Sequence, residues 1–265
     1  MSWLPSHCIG DDTQVIEAEG KYLVPGLCDG HMHIESGMLT PAEFAAAVIP
    51  HGTTTMFVDP RAHIDRKLYS QLTALGFRRS GSHYYRPHCE SCNACVPVRL
   101  QVGQFEPDRN QRRVLRKNAD LDCKLVPAAF SERYYRLYAH YIEERHRDGD
   151  MYPPSREQFT SFLVEGATDS WFLEMSLDGD LVGLAAVDLL DDGLSAIYTV
   201  FAPELEHRSL GTFAVLWQIE EAKRRELPHL YLGYWIKECR KMNYKTRFKP
   251  IEALRDGHWR EMSTD

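Results

Sequence analysis

The sequence predicts an α+β protein with a mixed β-sheet and flanking helices, and three consecutive patterns in its second half carry this prediction. The runs WFLEMSL, LVGLAAVDLL and LSAIYTVF are separated by Asp178-Gly179 and Asp192-Gly193. These dipeptides are strong hairpin signals, so the runs predict an antiparallel meander. Gly211 then opens the helical run TFAVLWQIEEAKRREL, and Pro228 breaks it before the strand-like run HLYLGYW.

Two helices are predicted before the meander. The run SERYYRLYAHYIEERHR predicts a helix with Ser131 as its N-cap. Its buried face consists of Tyr134, Tyr138 and Tyr141. Ser155 followed by Gln158 has the spacing of a capping box and predicts the start of the second helix. The buried stripe of this helix consists of Phe159, Phe162 and Leu163.

The segment 68–126 is rich in Arg, Cys and Pro, and its periodicity is weak. It predicts a loop-rich, Cys/Arg-rich N-terminal layer. We therefore divide the chain into residues 1–55, which differ in character from the rest, an N-terminal domain over 56–126 and a C-terminal domain over 127–265.

Bulk composition limits the function classes. A formal net charge of -7 argues against a protein that coats nucleic acid indiscriminately, although a local basic groove is compatible with it. No apolar run is long enough to cross a bilayer, and the N-terminus lacks the pattern of a signal peptide, so we expect a cytoplasmic protein. Seven cysteines, an odd number in a chain of 265 residues, argue against a disulfide framework.

Residues 235–250 form a basic stretch with interleaved aromatics. Glu238 is the one acidic residue in this stretch. The basic residues are Lys237, Arg240, Lys241, Lys245, Arg247 and Lys249. Trp235, Tyr244 and Phe248 lie between them. Cations that meet phosphates and aromatics that stack on unpaired bases suit the acceptor end of a tRNA, while a solvated basic face is the alternative interpretation.

A second basic cluster carries no acidic residue between its ends. Its members are Arg109, Arg112, Arg113, Arg116 and Lys117. The cluster predicts either a helix face that contacts phosphates or an ordinary surface helix.

The run Cys89-x-x-Cys92-x-x-Cys95, with His88 beside it, has a spacing that one metal ion can bind. Zinc is one interpretation, and the resemblance to eukaryotic arginyl-transferases, which place cysteines near here, implies an iron–sulfur cluster. Reduced cysteines that pack as small hydrophobic residues are the other.

Four blocks resemble the bacterial family of leucyl-tRNA–protein transferases: LGFRRSGSHYYRPHCESCNACVPVR (75–99), RHRDGDMYPPSREQF (145–159), RSLGTFAVLWQIEEA (208–222) and YLGYWIKECRKMNYKTRFKP (231–250). The resemblance covers about residues 56–259. It implies transfer of leucine from leucyl-tRNA to proteins that begin with aspartate or glutamate, a step of the N-end rule pathway of protein degradation. The choice of leucine rather than arginine is implied by the resemblance alone. We expect that the reaction requires no cofactor.

The resemblance and the residue types together suggest site residues. Arginine suits a carboxylate, so Arg78, Arg79 and Arg86, or the cations of 231–250 with Arg240 first, are candidates for binding the acidic acceptor. Lys241 and Lys245 are candidates for contacting tRNA phosphates. For a proton relay or a hydrogen-bond donor to the reacting ester, the candidates are Tyr231, Tyr234 and Tyr244, although each has the pattern of an aromatic core residue.

The element order resembles acetyltransferase-like (GNAT) folds, and Arg208-Ser209-Leu210-Gly211 resembles their phosphate-binding turn. The second glycine of that turn is replaced, because Thr212 and Phe213 follow. We therefore expect Arg208 and Gly211 to serve the aminoacyl end of tRNA rather than acetyl-CoA. An acetyl-CoA-dependent N-acetyltransferase and a non-catalytic tRNA-binding module remain the alternative functions.

Residues 12–55 instead resemble the start of an adenine deaminase barrel of the amidohydrolase superfamily. His31 and His33, with Glu35 following, match its metal-binding H-x-H. The later strands that complete such a site are absent from this sequence, so we interpret this segment as a foreign remnant without a chemical role.

Overall fold

The computed structural model describes residues 64–262 except 88, 90, 91, 150, 167 and 168, together with the strand Thr55–Met56. The strands are β1 (Thr55–Met56), β2 (Arg78–Ser80), β3 (His83–Tyr85), β4 (Val96–Gln101), β5 (Asp122–Pro127), β6 (Ser170–Leu177), β7 (Asp180–Leu189), β8 (Gly193–Phe201), β9 (His229–Trp235), β10 (Ile251–Arg255) and β11 (His258–Glu261). The α-helices are α1 (Arg66–Ala74), α2 (Arg109–Lys117), α3 (Glu132–Arg145), α4 (Arg156–Phe159) and α5 (Leu210–Arg224). The remaining helical segments include the 3₁₀ segments Pro203–Arg208 and Arg240–Arg247.

The predicted meander is confirmed, since β6, β7 and β8 pair antiparallel in sequence order. In its first turn both Asp178 (φ 51°) and Gly179 (φ 90°) are left-handed, as a tight hairpin turn requires. The second turn is longer, and Gly193 belongs to β8. A Cβ on Gly193 would lie 2.6 Å from the carbonyl oxygen of His229, so this glycine allows β9 to approach β8.

Helix α5 connects β8 to β9, and β9 returns parallel to β8, as the predicted helix and final strand require. The eight-stranded sheet has the order β11-β10-β4-β9-β8-β7-β6-β5. Every other neighbouring pair in it is antiparallel, so the sheet is mixed. The α+β prediction, with its acetyltransferase-like order of meander, helix and parallel strand, is confirmed.

Helices cover both faces of this sheet. Alternate residues of a strand point to opposite faces, so Phe172 and Leu184 pack with α3 and α4, while Leu173 and Ala185 pack with α5. Helix α2 lies on the α5 side. Helix α1 and the three-stranded sheet β1-β3-β2 pack on the other side, around Tyr84 and Tyr231. Within the described residues, no helix has the length and apolar character needed to cross a membrane.

The expectation of a loop-rich layer over 68–126 is wrong. This segment contains most of α1, all of β2, β3, β4 and α2, and most of β5. Strands β4 and β5 are members of the eight-stranded sheet, on opposite sides of the meander and β9. The predicted domain boundary between residues 126 and 127 lies inside β5. The sheet is continuous there, and the division into two domains stays a prediction.

The two predicted helix starts are placed as expected, but their caps differ. Ser131 occupies the N-cap position of α3 without a capping hydrogen bond from its side chain. Ser155 caps α4 by accepting the Gln158 backbone N–H at 3.0 Å. The Gln158 side chain accepts a hydrogen bond from the Tyr138 hydroxyl, so the reciprocal half of the capping box is replaced by a tie to α3. Helix α4 continues into a π turn over Thr160–Val164.

A buried ion pair fastens β2 to the main sheet. Arg79 donates from Nε and Nη2 to the two carboxylate oxygens of Asp188 on β7, at 2.7 and 2.9 Å. The two side chains are 0% and 1% exposed. Tyr69 and Ser170 donate to the same carboxylate, and Arg79 Nη1 donates to the Glu165 carbonyl. These hydrogen bonds offset the free-energy cost of removing the two charged groups from water.

We predict that Arg79→Met lowers the free energy of unfolding by about 3 to 5 kcal/mol, because Asp188 would keep its buried charge without a cation. Urea denaturation at neutral pH measures the change.

The matched control is Arg66→Met. Arg66 pairs with Asp191 at 2.9 Å, but both side chains are 45% exposed. An exposed pair of this kind contributes at most about 1 kcal/mol. Equal losses in the two variants would contradict the structural role assigned to the Arg79–Asp188 pair.

Candidate functional site

The sheet opens between its two parallel strands. β8 and β9 pair only at Gly193 with His229, Leu194 with Leu230 and Ser195 with Tyr231. We call the gap between residues 196–201 of β8 and 232–235 of β9 the β8–β9 opening. Because the strands are parallel, their carboxyl ends lie at the same edge, which is where open sheets with helical connections bind ligands.

Arg78 lies in the β8–β9 opening. Its Nη1 donates to Ser195 Oγ at 2.8 Å and its Nη2 donates to the Ala196 carbonyl at 2.6 Å, both on β8. On the β9 side, a Cβ on Gly233 would lie 3.0 Å from Arg78 Nε and 3.1 Å from Cζ. Position 233 therefore favours glycine for two reasons: its backbone is left-handed, with φ 78°, and a Cβ would crowd the Arg78 guanidinium. The guanidinium is held in one orientation, and N–H groups remain beyond the two that donate to β8.

Aromatic side chains border the same opening. Tyr198 of β8 lies 5.5 Å from Phe162 and 6.5 Å from Tyr141 of α3, between ring centroids. Tyr141 also packs on Phe201 at 5.1 Å. Tyr244, on the segment Arg240–Arg247, lies near Tyr141 and Arg78, and it is 39% exposed.

Lys245 is buried at the opening and does not reach the protein surface. It is 8% exposed, and its Nζ donates to the Tyr234 carbonyl at 2.5 Å. Burial, and then the positive charge of Arg78, lower the pKa of its ammonium to about 8. The prediction that Lys245 contacts tRNA phosphates is therefore not supported by its position.

Two of the three tyrosines predicted as donors are core residues. Tyr231 donates its hydroxyl to Asp192 Oδ2 at 2.7 Å, and Tyr234 donates to the Gly76 carbonyl at 2.8 Å. Burial raises the pKa of both hydroxyls. The Tyr231 hydrogen bond joins β9 to the turn between β7 and β8, and the Tyr234 hydrogen bond joins β9 to the residue that follows the C-cap of α1. Of the three tyrosines, Tyr244 alone has a hydroxyl that is not engaged in this way.

The other predicted acceptor-binding arginines are also placed elsewhere. Arg79 is enclosed in the ion pair with Asp188 and cannot meet a substrate. Arg86 donates to the Leu75 carbonyl at 3.0 Å, beside α1. Only Arg78 of these three enters the β8–β9 opening.

Arg208 and Gly211 do not form a glycine-dependent phosphate turn. Arg208 makes a two-pronged ion pair with Asp120, at 2.8 and 2.7 Å, which ties the start of α5 to the end of α2. A Cβ on Gly211 would meet only Phe201, at 3.6 Å, an ordinary contact. The left-handed residue here is Ser209, with φ 57°.

The two basic clusters of the sequence are neighbours in the structure. Gln111 of α2 donates from Nε2 to the Arg247 carbonyl at 3.0 Å, which joins α2 to the segment after β9. We call their exposed cations the basic surface: Arg109, Arg112, Arg113, Arg116, Lys117, Lys237, Arg240, Lys241, Arg247 and Lys249. Some of them also contact neighbouring groups of the protein: Lys241 lies 3.8 Å from Asp148, Lys117 donates to the His207 carbonyl and Arg112 donates to the Pro107 carbonyl. The predicted helix over the second cluster is confirmed as α2.

In the part of the chain that the structure describes, the three cysteines of the run are not placed as one metal-binding group. Cys89 and Cys92 are exposed free thiols, and their backbones form an isolated antiparallel β-bridge. Burial raises the pKa of the half-buried Cys95 thiol. Across the described part of the chain, which omits His88, no three His, Cys, Asp or Glu side chains are placed to hold a metal ion. His31, His33 and Glu35 lie outside the described residues.

Comparison with known proteins gives two family matches. The arginine-tRNA-protein transferase, N terminus, model matches residues 50–113, and the C terminus model of the same family matches residues 133–255. The first match begins inside the segment that we predicted to be foreign. The rest of that segment lies outside the described residues.

Curated relatives agree with these families. An aspartate/glutamate leucyltransferase of Marinobacter nauticus is 93% identical over 226 residues, which cover 85% of this chain and 95% of that protein. One of Pseudomonas fluorescens (strain SBW25) is 57% identical over 206 residues, 78% of this chain and 88% of that protein. Among solved structures, FemX overlaps with a TM-score of 0.45 at 9% identity, over 78% of this chain and 73% of that one.

The depressed pKa of Lys245 predicts a pH-dependent stability. Between about pH 8 and the ordinary lysine value near 10.4, the unfolded chain binds more protons at this residue than the folded chain does. The free energy of unfolding should therefore rise with pH in this window, relative to Lys245→Met. We expect the difference between native and variant to grow by on the order of 1 to 2 kcal/mol from pH 7 to pH 9.5.

Urea denaturation of both proteins at matched pH values measures this difference. Lys67→Met, at an exposed lysine of α1, is the control and should show a constant difference. A constant difference for Lys245→Met as well would contradict the buried, charged state of this lysine.

Proposed function

The chain belongs to the aspartate/glutamate leucyltransferase family of aminoacyl-tRNA–protein transferases, and from this premise we propose that the β8–β9 opening is its reaction centre. The enzyme conjugates leucine from leucyl-tRNA to proteins that begin with aspartate or glutamate. The family assignment disfavours both alternatives, the acetyl-CoA-dependent transferase and the non-catalytic tRNA-binding module.

The reaction converts an ester into an amide. The α-amine nitrogen of the acceptor attacks the carbonyl carbon that links leucine to the tRNA ribose. A C–N bond forms, the C–O ester bond breaks, and the proton lost by the amine passes to the ribose oxygen. With a pKa of about 7.7 to 8.0, roughly a tenth to a third of the α-amine is already free near neutral pH. The step needs no oxidant, reductant or nucleotide, so positioning and charge stabilisation can provide most of the acceleration.

We assign the acceptor carboxylate to Arg78. One observation carries this assignment: its guanidinium is fixed between Ser195, Ala196 and Gly233 inside the opening, with N–H groups left over. A fixed guanidinium can bind a carboxylate with two parallel hydrogen bonds and distinguishes it from an amide. Lys245 behind it adds positive potential without occupying the ligand's space.

We assign the body of the tRNA to the basic surface. Its cations are exposed and lie on α2 and on the segment after β9, which passes the opening. A polyanion bound there can place its 3′ end in the opening. The formal net charge of -7 belongs to the whole chain and leaves this local surface basic.

We predict that Arg78→Lys raises the Michaelis constant for Asp- and Glu-starting peptides by about 10- to 100-fold, because a charge-assisted bidentate contact contributes about 1.5 to 3 kcal/mol. Affinity for tRNA should change less than about twofold, since the lost contact is to the peptide. The assay is transfer of labelled leucine from leucyl-tRNA to peptides beginning Asp, Glu, Asn or Ala. Varying the peptide gives its Michaelis constant, and varying leucyl-tRNA shows whether the response to tRNA changes.

Two variants accompany this assay. Arg156→Lys changes an exposed arginine that pairs with Glu132 away from the opening, and it should behave as native. Arg240→Lys tests the cation that the sequence favoured. If the Michaelis constant for these peptides rises only in Arg240→Lys, the carboxylate is bound by Arg240 and the assignment to Arg78 is wrong.

We predict that Arg113→Ala and Arg247→Ala each reduce the slope of log affinity for tRNA against log salt by about 0.7 to 0.9. Each exposed cation that meets a phosphate releases counterions, and its loss removes that release. Filter binding at several salt concentrations measures the slope. Lys67→Ala is the control, on the opposite face of the sheet, and unchanged slopes for Arg113→Ala and Arg247→Ala would reduce the basic surface to a solvated face.

A further inference from the structure

The tyrosine hydroxyls of the described residues differ in whether the protein supplies a hydrogen-bond partner, and those of Tyr85 and Tyr152, at the protein surface or near it, have none. Most of those in the core donate to an acceptor within the protein, for example Tyr69 to Asp188, Tyr138 to Gln158 and Tyr231 to Asp192. Tyr141, Tyr198 and Tyr244 differ, because none of their hydroxyls has a hydrogen-bond partner among the described residues. Their hydroxyls are therefore free to bond to a ligand or to water without breaking a hydrogen bond of the fold.

The hydroxyls of Tyr141 and Tyr198 are also accessible. Within the described part of the chain, the buried side-chain atoms that lack a partner belong to Thr73, Asp192, Gln218 and Trp235. Neither Tyr141 nor Tyr198 is among them, although burial of the rings raises the pKa of both hydroxyls. These phenols therefore stay protonated and neutral near pH 7, and they can both donate to and accept from a ligand.

Tyr141 links the other two tyrosines, because Tyr198 packs against its ring and Tyr244 lies near it. Tyr141 and Tyr198 have ring centroids 6.5 Å apart at an interplanar angle of 83°. Tyr244 lies near Tyr141 and near the Arg78 guanidinium. The rings of Phe162 and Phe201 complete an apolar wall on the α3 side. We call Tyr141, Tyr198 and Tyr244 the tyrosine cluster.

The chemistry of the tyrosine cluster selects its ligand. Neutral phenols beside aromatic rings suit a group that combines an apolar chain with uncharged or singly charged polar atoms. An acidic side chain is better matched by Arg78, and phosphates by the exposed cations. Of the two substrates, the aminoacyl end of the tRNA has the remaining features: an isobutyl chain, an α-amine, an ester carbonyl and a ribose hydroxyl.

We infer that the tyrosine cluster binds the leucyl-ester end of leucyl-tRNA, with the rings of Phe162, Tyr198 and Phe201 against the leucine side chain and the three hydroxyls hydrogen-bonded to the polar atoms of the ester. This inference rests on the proposed reaction centre. It places the donor on the α3 side of the opening and the acceptor carboxylate at Arg78, so that the amine and the ester carbonyl meet between them.

Tyr141→Phe and Tyr198→Phe test this inference, since each removes one oxygen and keeps the ring. The readout is the affinity for a tRNA that carries leucine through a stable amide bond, compared with the affinity for uncharged tRNA. We expect each variant to lose about three- to tenfold in affinity for the charged analogue and none for uncharged tRNA, as the loss of one hydrogen bond implies. The melting temperature should not fall, because no internal hydrogen bond is lost.

Tyr138→Phe is the matched control from the same helix. Its hydroxyl donates to Gln158 at 2.9 Å, so the variant should melt at a lower temperature and keep the native preference for charged tRNA. If Tyr141→Phe and Tyr198→Phe both keep that preference, or weaken uncharged tRNA to the same extent, the inference is overturned. A failure of the proposed function is separate, because it appears as native protein that prefers the charged analogue but transfers no leucine to Asp-starting peptides.

Discussion

The position of the candidate site depends on the buried ion pair between Arg79 and Asp188. Burying two charges is expensive, and the cost is offset here because Tyr69, Ser170 and backbone carbonyls complete the hydrogen bonds of both groups. The pair joins β2 to β7 and so holds the layer of α1 and the small sheet against the main sheet. Arg78, the preceding residue of β2, is thereby positioned against β8, where it enters the opening.

The opening itself results from a strand pair that begins tightly and then diverges. At Gly193 the absence of a side chain lets β9 approach, and at Gly233 a left-handed backbone and the missing Cβ leave room for the Arg78 guanidinium. The parallel arrangement brings the start of α5 and the segment Arg240–Arg247 to the same edge. A reaction centre and a tRNA-binding surface can therefore adjoin without sharing residues.

Residues of the same type have different roles because they differ in burial and partners. Lys241 is exposed and close to Asp148, while Lys245, four residues later, is buried beside Arg78 with a lowered pKa. Arg78 and Arg79 are adjacent in sequence, yet only one has N–H groups available to a ligand. In the proposed reaction the exposed cations bind a polyanion, and the enclosed cations set the charge of a small cavity where water screens less.

The sequence by itself determined the features that depend on neighbouring residues: the meander, α3, α5 and β9 follow from turn dipeptides, apolar periodicity and helix breakers, and the family follows from blocks of matching residues. The tertiary structure decided which cations are buried, that β4 and β5 join the main sheet, that Tyr231 and Tyr234 are core residues, and that the ring of Tyr198 packs against that of Tyr141. Arg79 and Asp188 are 109 positions apart in the sequence, and Arg78 and Ser195 are 117 positions apart. Burial and hydrogen-bond partners arise from such long-range contacts, and a periodic pattern along one segment carries no information about the residue that packs against it from elsewhere in the chain.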